Sequence, residues 1–242
     1  AKQMVASTST IPHITYVEEV DMTALEELRA TLNRRVDGRD VHHGASQTRL
    51  TLLPFLVRAL TNVLVDFPQF NAHLDDSGST SADGGGPDVL TTYEGVHVGI
   101  ATQTDNGLIV PVLRHAEAHT VWSAATAIAD LGEATRTGRA SAEDLSGSTI
   151  TISSLGALGG IVSTPVINKP EVAVIGVNKM AVRPVWNETA GEFEPRKMMN
   201  LSSSFDHRVI DGWDAANFVQ AVRSQLEQPA LLFVDPIPGG SA

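Results

Sequence analysis

The sequence has 242 residues, 42% hydrophobic and 19% charged, enough to bury the core of one large globular domain or two small ones. Its net charge of −11 argues against nucleic acid and anionic membranes as partners, while leaving room for a local basic pocket that holds a phosphate. The absence of cysteine removes disulfides, thiolate metal sites and a cysteine nucleophile, and with no apolar run near ~18–20 residues and no signal peptide the expectation is a soluble intracellular protein or a piece of one.

The opening AKQMVASTSTIPH reads as a helix cut through, and HITYVEEVDM (13–22) alternates as a strand does. MTALEELRATLN is helical, with Thr23 expected as N-cap and Glu26 three residues on. VDGRDVHHGASQTR is a polar connection, and its pair His42 and His43 reads as solvated. LTLLPFLVRALTNVLVDFP is apolar on most sides and ends at Pro68, the pattern of a buried helix. Residues 75–88, DDSGSTSADGGGP and the aspartate after it, are the candidate for disorder. Short strands are expected in DVLTTYE, GVHVGIATQT and LIVPVLR, then a helix in TVWSAATAIADLGEATRTG that closes on a glycine. STITISSLGALGG is a strand running into a glycine-rich turn, and EVAVIGVNKM and KMMNLSSS are further strands. Ala215, Phe218, Val219, Val222 and Leu226 mark one face of a last helix that stops before Pro229. Strands mixed with a few long helices predict a single two-layer α/β domain with a mixed sheet.

Two stretches carry candidate chemistry. FDHRVIDGW packs Asp206, His207, Arg208 and Asp211 into six positions where a strand hands over to a helix, and active sites often use such junctions. Taken alone, His207 is balanced between a catalytic and a structural role, Asp211 fits an N-cap, and Arg208 fits a partner for either aspartate. In TITISSLGALGG, Ser153 and Ser154 close a strand, and Gly156, Gly159 and Gly160 supply backbone freedom. The spacing is neither GxGxxG nor GxSxG, which leaves a tight turn, or a serine hydroxyl presented beside free backbone N–H groups for a developing oxyanion. HAEAH (His115 to His119) is not HExxH and precedes a helix rather than lying on one, so no metal is expected there.

Together, SSSFDHRVIDG, TISSLGALGG, STIPHITYVEEVDMTALEELR, GVHVGIATQTDNGLIVPVL and NKPEVAVIGVNK resemble the catalytic domain of the dihydrolipoyl acyltransferase component of 2-oxo acid dehydrogenase complexes, from about Met4 to Asp235. The resemblance implies a chloramphenicol acetyltransferase-like two-layer sandwich, its mixed sheet covered by helices. It also implies acyl transfer between a dihydrolipoyl thiol and coenzyme A. A thiol of pKa near ~8.5 is mostly protonated at neutral pH, and a histidine of ordinary pKa near ~6.5 suits the proton transfer. By motif position His207 matches the family's base, Ser153 its oxyanion donor, and Asp211 an orienting aspartate. Arg29, Thr51, Ser154 and Asn178 match coenzyme A contacts.

The family builds trimers in which the serine of one subunit faces the histidine of its neighbour, and trimers can build a larger core. Its other partners are a lipoyl domain and the decarboxylase and dihydrolipoamide dehydrogenase components. The lipoyl group rides on a domain that these 242 residues do not contain, so the resemblance implies the catalytic part of a longer protein. The C-terminal LLFVDPIPGGSA departs from the apolar tail that locks trimers into shells. Likeness leans to a branched-chain complex, with the acetyltransferase of a pyruvate complex as alternative, in a bacterial cytoplasm or else a mitochondrial matrix. A hydrolase using Ser153, His207 and Asp211, and a purely structural core, are the readings from other classes. An antibiotic acetyltransferase would share the mechanism but not IPHITYVEEVDMT.

Overall fold

The structure is a computed structural model that describes residues 2–39, 48–76, 86–105, 107–154 and 156–234. His42, His43 and the last eight residues therefore lie outside it, as does most of the segment expected to be disordered. In chain order the main elements are α1 (Lys2–Thr10), β1 (His13–Asp21), α2 (Thr23–Arg39), α3 (Leu53–Val63), β2 (Ala72–Asp75), β3 (Val89–Thr92), β4 (Val98–Thr104), β5 (Gly107–Ile109) and β6 (Val112–Leu113). There follow α4 (Val121–Arg136), β7 (Ile150–Ser154), β8 (Ala173–Val177), β9 (Ala181–Asn187), β10 (Glu192–Asp206) and α5 (Gly212–Glu227).

Among the described residues an eight-stranded sheet runs β1-β10-β8-β7-β4-β5, with β6 beside β4 and β9 beside β10, while β2 and β3 form a separate pair. The β4–β7 and β7–β8 pairs are parallel and the others antiparallel, so the sheet is mixed, as expected. The central strand β8 is buried along its whole length, which suits its unbroken apolar run AVIGV.

One face carries the main core. Ile150 and Ile152 of β7, Ile175 of β8, and Leu201 and Phe205 of β10 meet Phe55 and Leu60 of α3, Ala124 of α4, and Phe218 and Val222 of α5. Phe70 stacks on Phe218 at 4.1 Å between ring centres and meets Phe205 edge-on at 5.3 Å, packing worth ~0.5–1.5 kcal/mol per pair beyond burial. On the opposite face Val174 packs with Ile11 and Ile167. Alternation along β7 therefore sends Ser154 to the helical side and Ser153 to the other.

Local chemistry sets the boundaries. Thr120 and Ser123 form a reciprocal capping box at the start of α4, and Asp211 caps α5. All five residues of the expected apolar stripe on α5 are buried. Three expectations are corrected. Thr23 is not an N-cap: its N–H donates to Asp21 Oδ1 at 2.9 Å, its hydroxyl accepts from Lys197 N, and Glu26 turns to Arg29 at 2.7 Å. The strand in LIVPVLR divides into β5 and β6 around Pro111, which has no N–H for a ladder. The helix expected to run to Pro68 ends at Val63, and Pro68 instead opens a short 3₁₀ turn. No described helix is long and apolar enough to cross a membrane.

Candidate active site

His207 follows directly on β10, whose last residue Asp206 pairs with His13 of β1. Its backbone N–H donates to Pro12 O at 2.9 Å, and its Nδ1 lies 3.1 Å from Ile210 O. A carbonyl only accepts, so Nδ1 carries the proton and Nε2 keeps the lone pair. In its neutral form the ring is thereby left with Nε2 as the acceptor.

Arg208 is spent on holding that turn. Its Nε and Nη2 fork onto buried Asp206 at 3.0 and 2.6 Å, and Nη1 reaches Asp76 at 3.1 Å, where Lys169 Nζ also sits at 2.7 Å. These bonds, Asp206 first, hold the guanidinium even more firmly protonated than usual, and Lys169 and Arg208 push the Asp76 carboxyl below its ordinary range. Asp211 accepts from Asp214 N at 2.8 Å as the α5 cap. Among the described residues it makes no bond to His207, which takes its orientation from the Ile210 carbonyl.

Ser153 is half-buried near the end of β7, beside Ala101 of β4 and Gly176 of β8. Among the described residues its hydroxyl has no hydrogen-bond partner, so it is free to donate. Ser154 Oγ accepts from Gly156 N at 3.3 Å, and Gly156 has φ +54°, a left-handed conformation that glycine adopts without strain. The sheet register keeps Ser153 and His207 of one chain apart. Ser153 aligns through Gly176 with Ser202 of β10, and His207 lies five residues further along. At ~3.3 Å per residue that is roughly 17 Å along the strand, plus two strand spacings of ~4.8 Å.

Thr51, Ser154 and Asn178 come together as lining of one cavity of about 440 Å³, with Lys179, Met180 and Met199. The Asn178 amide and the Ser202 hydroxyl are 2.6 Å apart, tying the cavity wall to β10. Arg29 does not line it. Arg29 forks onto Glu26 and donates to Leu50 O at 3.2 Å, next to Thr51, and the same fork lowers the Glu26 carboxyl.

Sequence reasoning missed Glu171. Its Oε1 accepts from Ser148 at 2.5 Å, Asn168 at 2.8 Å and Thr151 at 2.9 Å, and Oε2 is buried without a partner among the described residues. Burial pushes the carboxyl up to about 7 against those three bonds. The HAEAH histidines face separate partners, His115 Nδ1 meeting Glu117 Oε1 and His119 Nδ1 meeting Ser123 Oγ, each at 3.1 Å. No group of three residues able to hold a metal occurs among the described residues.

The chain matches known proteins over nearly its whole length. The lipoamide acyltransferase component of the branched-chain alpha-keto acid dehydrogenase complex of Pseudomonas putida is 57% identical over 235 residues, 97% of this chain and 51% of that protein. The dihydrolipoyllysine-residue acetyltransferase component of the pyruvate dehydrogenase complex of Azotobacter vinelandii is 38% identical over 210 residues, 87% of this chain and 30% of that one. The chain thus spans about half the length, or less, of these curated relatives.

Among solved structures, the Azotobacter vinelandii dihydrolipoamide acetyltransferase superimposes with a TM-score of 0.84 at 34% identity, covering 96% of this chain and 88% of that one. That work concerned a serine, a histidine and an asparagine four positions after the histidine in its catalytic mechanism; four positions after His207 this chain has Asp211. Chloramphenicol acetyltransferase, at 15% identity with a TM-score of 0.53 over 93% of this chain and 94% of that one, shares the fold. The expected two-layer architecture is met. Residues 1–234 match the family described as 2-oxoacid dehydrogenases acyltransferase (catalytic domain), and the chain belongs to that family.

Proposed function

We propose that this chain is the catalytic core of a dihydrolipoamide acyltransferase that moves a branched-chain acyl group between a dihydrolipoyl thiol and coenzyme A. The observation that carries the chemistry is the Nδ1 to Ile210 O bond, which leaves His207 Nε2 as a proton acceptor. His207 takes the proton of the attacking thiol, the sulfur adds to the thioester carbonyl, and the carbon–sulfur bond to the leaving thiol breaks. That thiolate recovers the proton from His207. Ser153, with its hydroxyl unengaged, would donate to the carbonyl oxygen while it is negative, which is the moment when such a bond lowers the barrier.

Asp211 acts as a positioning residue: by capping α5 it steadies the backbone that presents the Ile210 carbonyl. Thr51, Ser154 and Asn178 fit coenzyme A contacts because they share one cavity, and Arg29 supports that wall from beside Leu50.

The working unit in this reading is at least a homotrimer with shared sites. The register-derived separation of Ser153 and His207 supports this, and a solved cubic core of a pyruvate dehydrogenase multienzyme complex covers 96% of this chain with a TM-score of 0.84. The same separation means that a serine hydrolase, which needs nucleophile and base in contact, would also have to draw them from two chains. The intact His207 turn disfavours a purely structural core. A lipoyl domain, the decarboxylase and the dihydrolipoamide dehydrogenase are the partners such a core would serve, and the Pseudomonas relatives support a bacterial cytoplasm.

The branched-chain assignment rests on 57% identity to a branched-chain component against 38% to a pyruvate one. Comparing kcat/KM for acetyl-, isobutyryl- and isovaleryl-dihydrolipoamide tests it. The branched substrates are expected to lead, and an acetyl preference would assign the chain to a pyruvate complex.

A further inference from the structure

No side chain holds the Ser153 hydroxyl among the described residues, and just beyond it the chain turns through Gly156 at φ +54°. Its position is therefore set by the strand before it. Thr151 lies two residues earlier on the same face of β7. The ladder pairs Thr151 with Gly99 of β4 and Val174 of β8, which fixes it within the sheet. A Cβ on Gly99 would stand 2.6 Å from Thr151 Oγ1. Only a glycine there leaves that hydroxyl its place, from which it donates to Glu171 Oε1 at 2.9 Å.

Glu171 is 1% exposed, and its Oε1 gathers donors from both ends of the joint: Ser148 and Thr151 from the serine strand and its approach, Asn168 from its own loop. Its backbone N–H donates to Asn168 O at 3.0 Å and closes that loop. The carbonyl of the next residue, Val172, accepts from Asp206 N at 2.9 Å, one residue ahead of His207. One short segment thus supports the histidine turn through its backbone and the serine strand through its carboxyl. His73, bridged to Glu171 across the sheet edge, has its Nε2 on Ser148 O and its Nδ1 on the Tyr93 hydroxyl rather than on the carboxyl. A carboxyl is a costly group to bury. What it adds over an apolar contact is a fixed length and direction at Thr151, perpendicular to the ladder.

We propose that Glu171 is a positioning residue for Ser153, holding β7 through Thr151 at the height from which the serine hydroxyl meets the oxyanion. It touches no reacting atom. The proposal rests on the acyl-transfer reading, in which Ser153 is the oxyanion donor.

The test compares whole chains whose fold is confirmed by circular dichroism. Thr151→Val exchanges one hydroxyl for a methyl and is expected to lower kcat about tenfold, with KM for coenzyme A and for the acyl-dihydrolipoamide within about twofold. Glu171→Leu should lose at least as much, and Glu171→Gln, which keeps an acceptor oxygen, should return kcat to within about threefold of wild type. If Glu171→Leu fails to fold, Thr151→Val still decides. On a Ser153→Ala background Thr151→Val should lower kcat no further, because the group it positions is gone. Unchanged kcat in Thr151→Val would overturn the proposal, as would a loss that falls on KM or a Glu171→Gln chain no better than Glu171→Leu. A full further tenfold loss on an already impaired Ser153→Ala chain would overturn it and leave the transfer reading standing. Normal kcat in Ser153→Ala alone would refute the serine's role and this proposal with it.

Discussion

His207 stands in a turn held by an ion network and its own ring, whereas Ser153 opens onto one held through its backbone, by Gly159 N to Gly156 O, Lys179 N to Gly160 O and Asn200 Nδ2 to Ile161 O. The histidine turn has the Ile210 carbonyl on the ring, the Asp206–Arg208–Asp76 ion network beneath it and the Asp211 cap after it. The serine turn has an unengaged hydroxyl, and just beyond it Leu158 is 91% exposed and Ile161 66% exposed. Exposed apolar side chains beside a free donor are what a shared site requires of the half that awaits a neighbour. In the proposed mechanism one chain would complete the proton-transfer half by itself and leave the oxyanion half to be met by a neighbour.

The sharpest way to break this comparison is at its finished half. His207→Ala should cut acyl transfer to coenzyme A by ~10²–10⁴, the usual contribution of a general base, with the circular dichroism spectrum unchanged. Near-normal turnover in the folded variant would remove His207 from the mechanism.

At the open half, Ser153→Ala should lower kcat by ~10²–10³ with little change in KM, since an oxyanion donor acts in the transition state. Ser154→Ala should act mainly on KM for coenzyme A, because Ser154 faces the cavity on the other side of the sheet. A larger kcat loss in Ser154→Ala would exchange the roles of the two serines.

Mixing the Ser153→Ala and His207→Ala chains, with subunit exchange verified by mass labelling, tests whether the halves come from different chains. Random mixing makes half of the serine donors and half of the histidine donors wild type, so about a quarter of head-to-tail interfaces should be intact. No recovery despite proven exchange would mean that each site is built within one chain.

The smallest effect concerns what supports the serine strand. Glu171 bonds Thr151, two residues before Ser153 on the same face. Its folded pKa of about 7 lies above the ordinary 4.5, so the folded state holds the extra proton between those values. The protonated form's stabilisation is complete below about 4.5 and is lost as pH rises through about 7, on the order of 3 kcal/mol in all. Denaturant titrations from pH 5 to 8 should show that decline in the wild type and a flatter profile in Glu171→Gln. Equal slopes would show that Glu171 does not titrate in this range.

The elements that frame the site were legible because their signals are local. The stripe from Ala215 to Leu226 has helical spacing, and HITYVEEVDM alternates. The β9–β10 hairpin was not read, because Pro184 and Pro195 interrupt both strands and sit opposite each other. Its cues were Asn187, which accepts from Thr189 N and Ala190 N, and Gly191 in a left-handed turn.

Within the site, the partner of His207 is a backbone carbonyl, and a carbonyl has no residue identity to recognise. The Glu171 network joins Ser148, Thr151 and Asn168, whose approach depends on the tertiary fold. The grouping of Thr51, Ser154 and Asn178 came from family resemblance alone, since no spacing rule connects residues so far apart.

Strand β10 has a consequence for how the protein is made. His13 of β1 pairs with Asp206 of β10, so β1 leaves the ribosome nearly the whole chain ahead of its partner. At ~5–20 residues per second of synthesis, β1 spends roughly 10–40 s without that neighbour. During that interval its open edge can pair with the same strand of another nascent chain. The rate of translation, and whatever shields β1 meanwhile, then enters the yield of folded protein alongside the stability of the finished sheet.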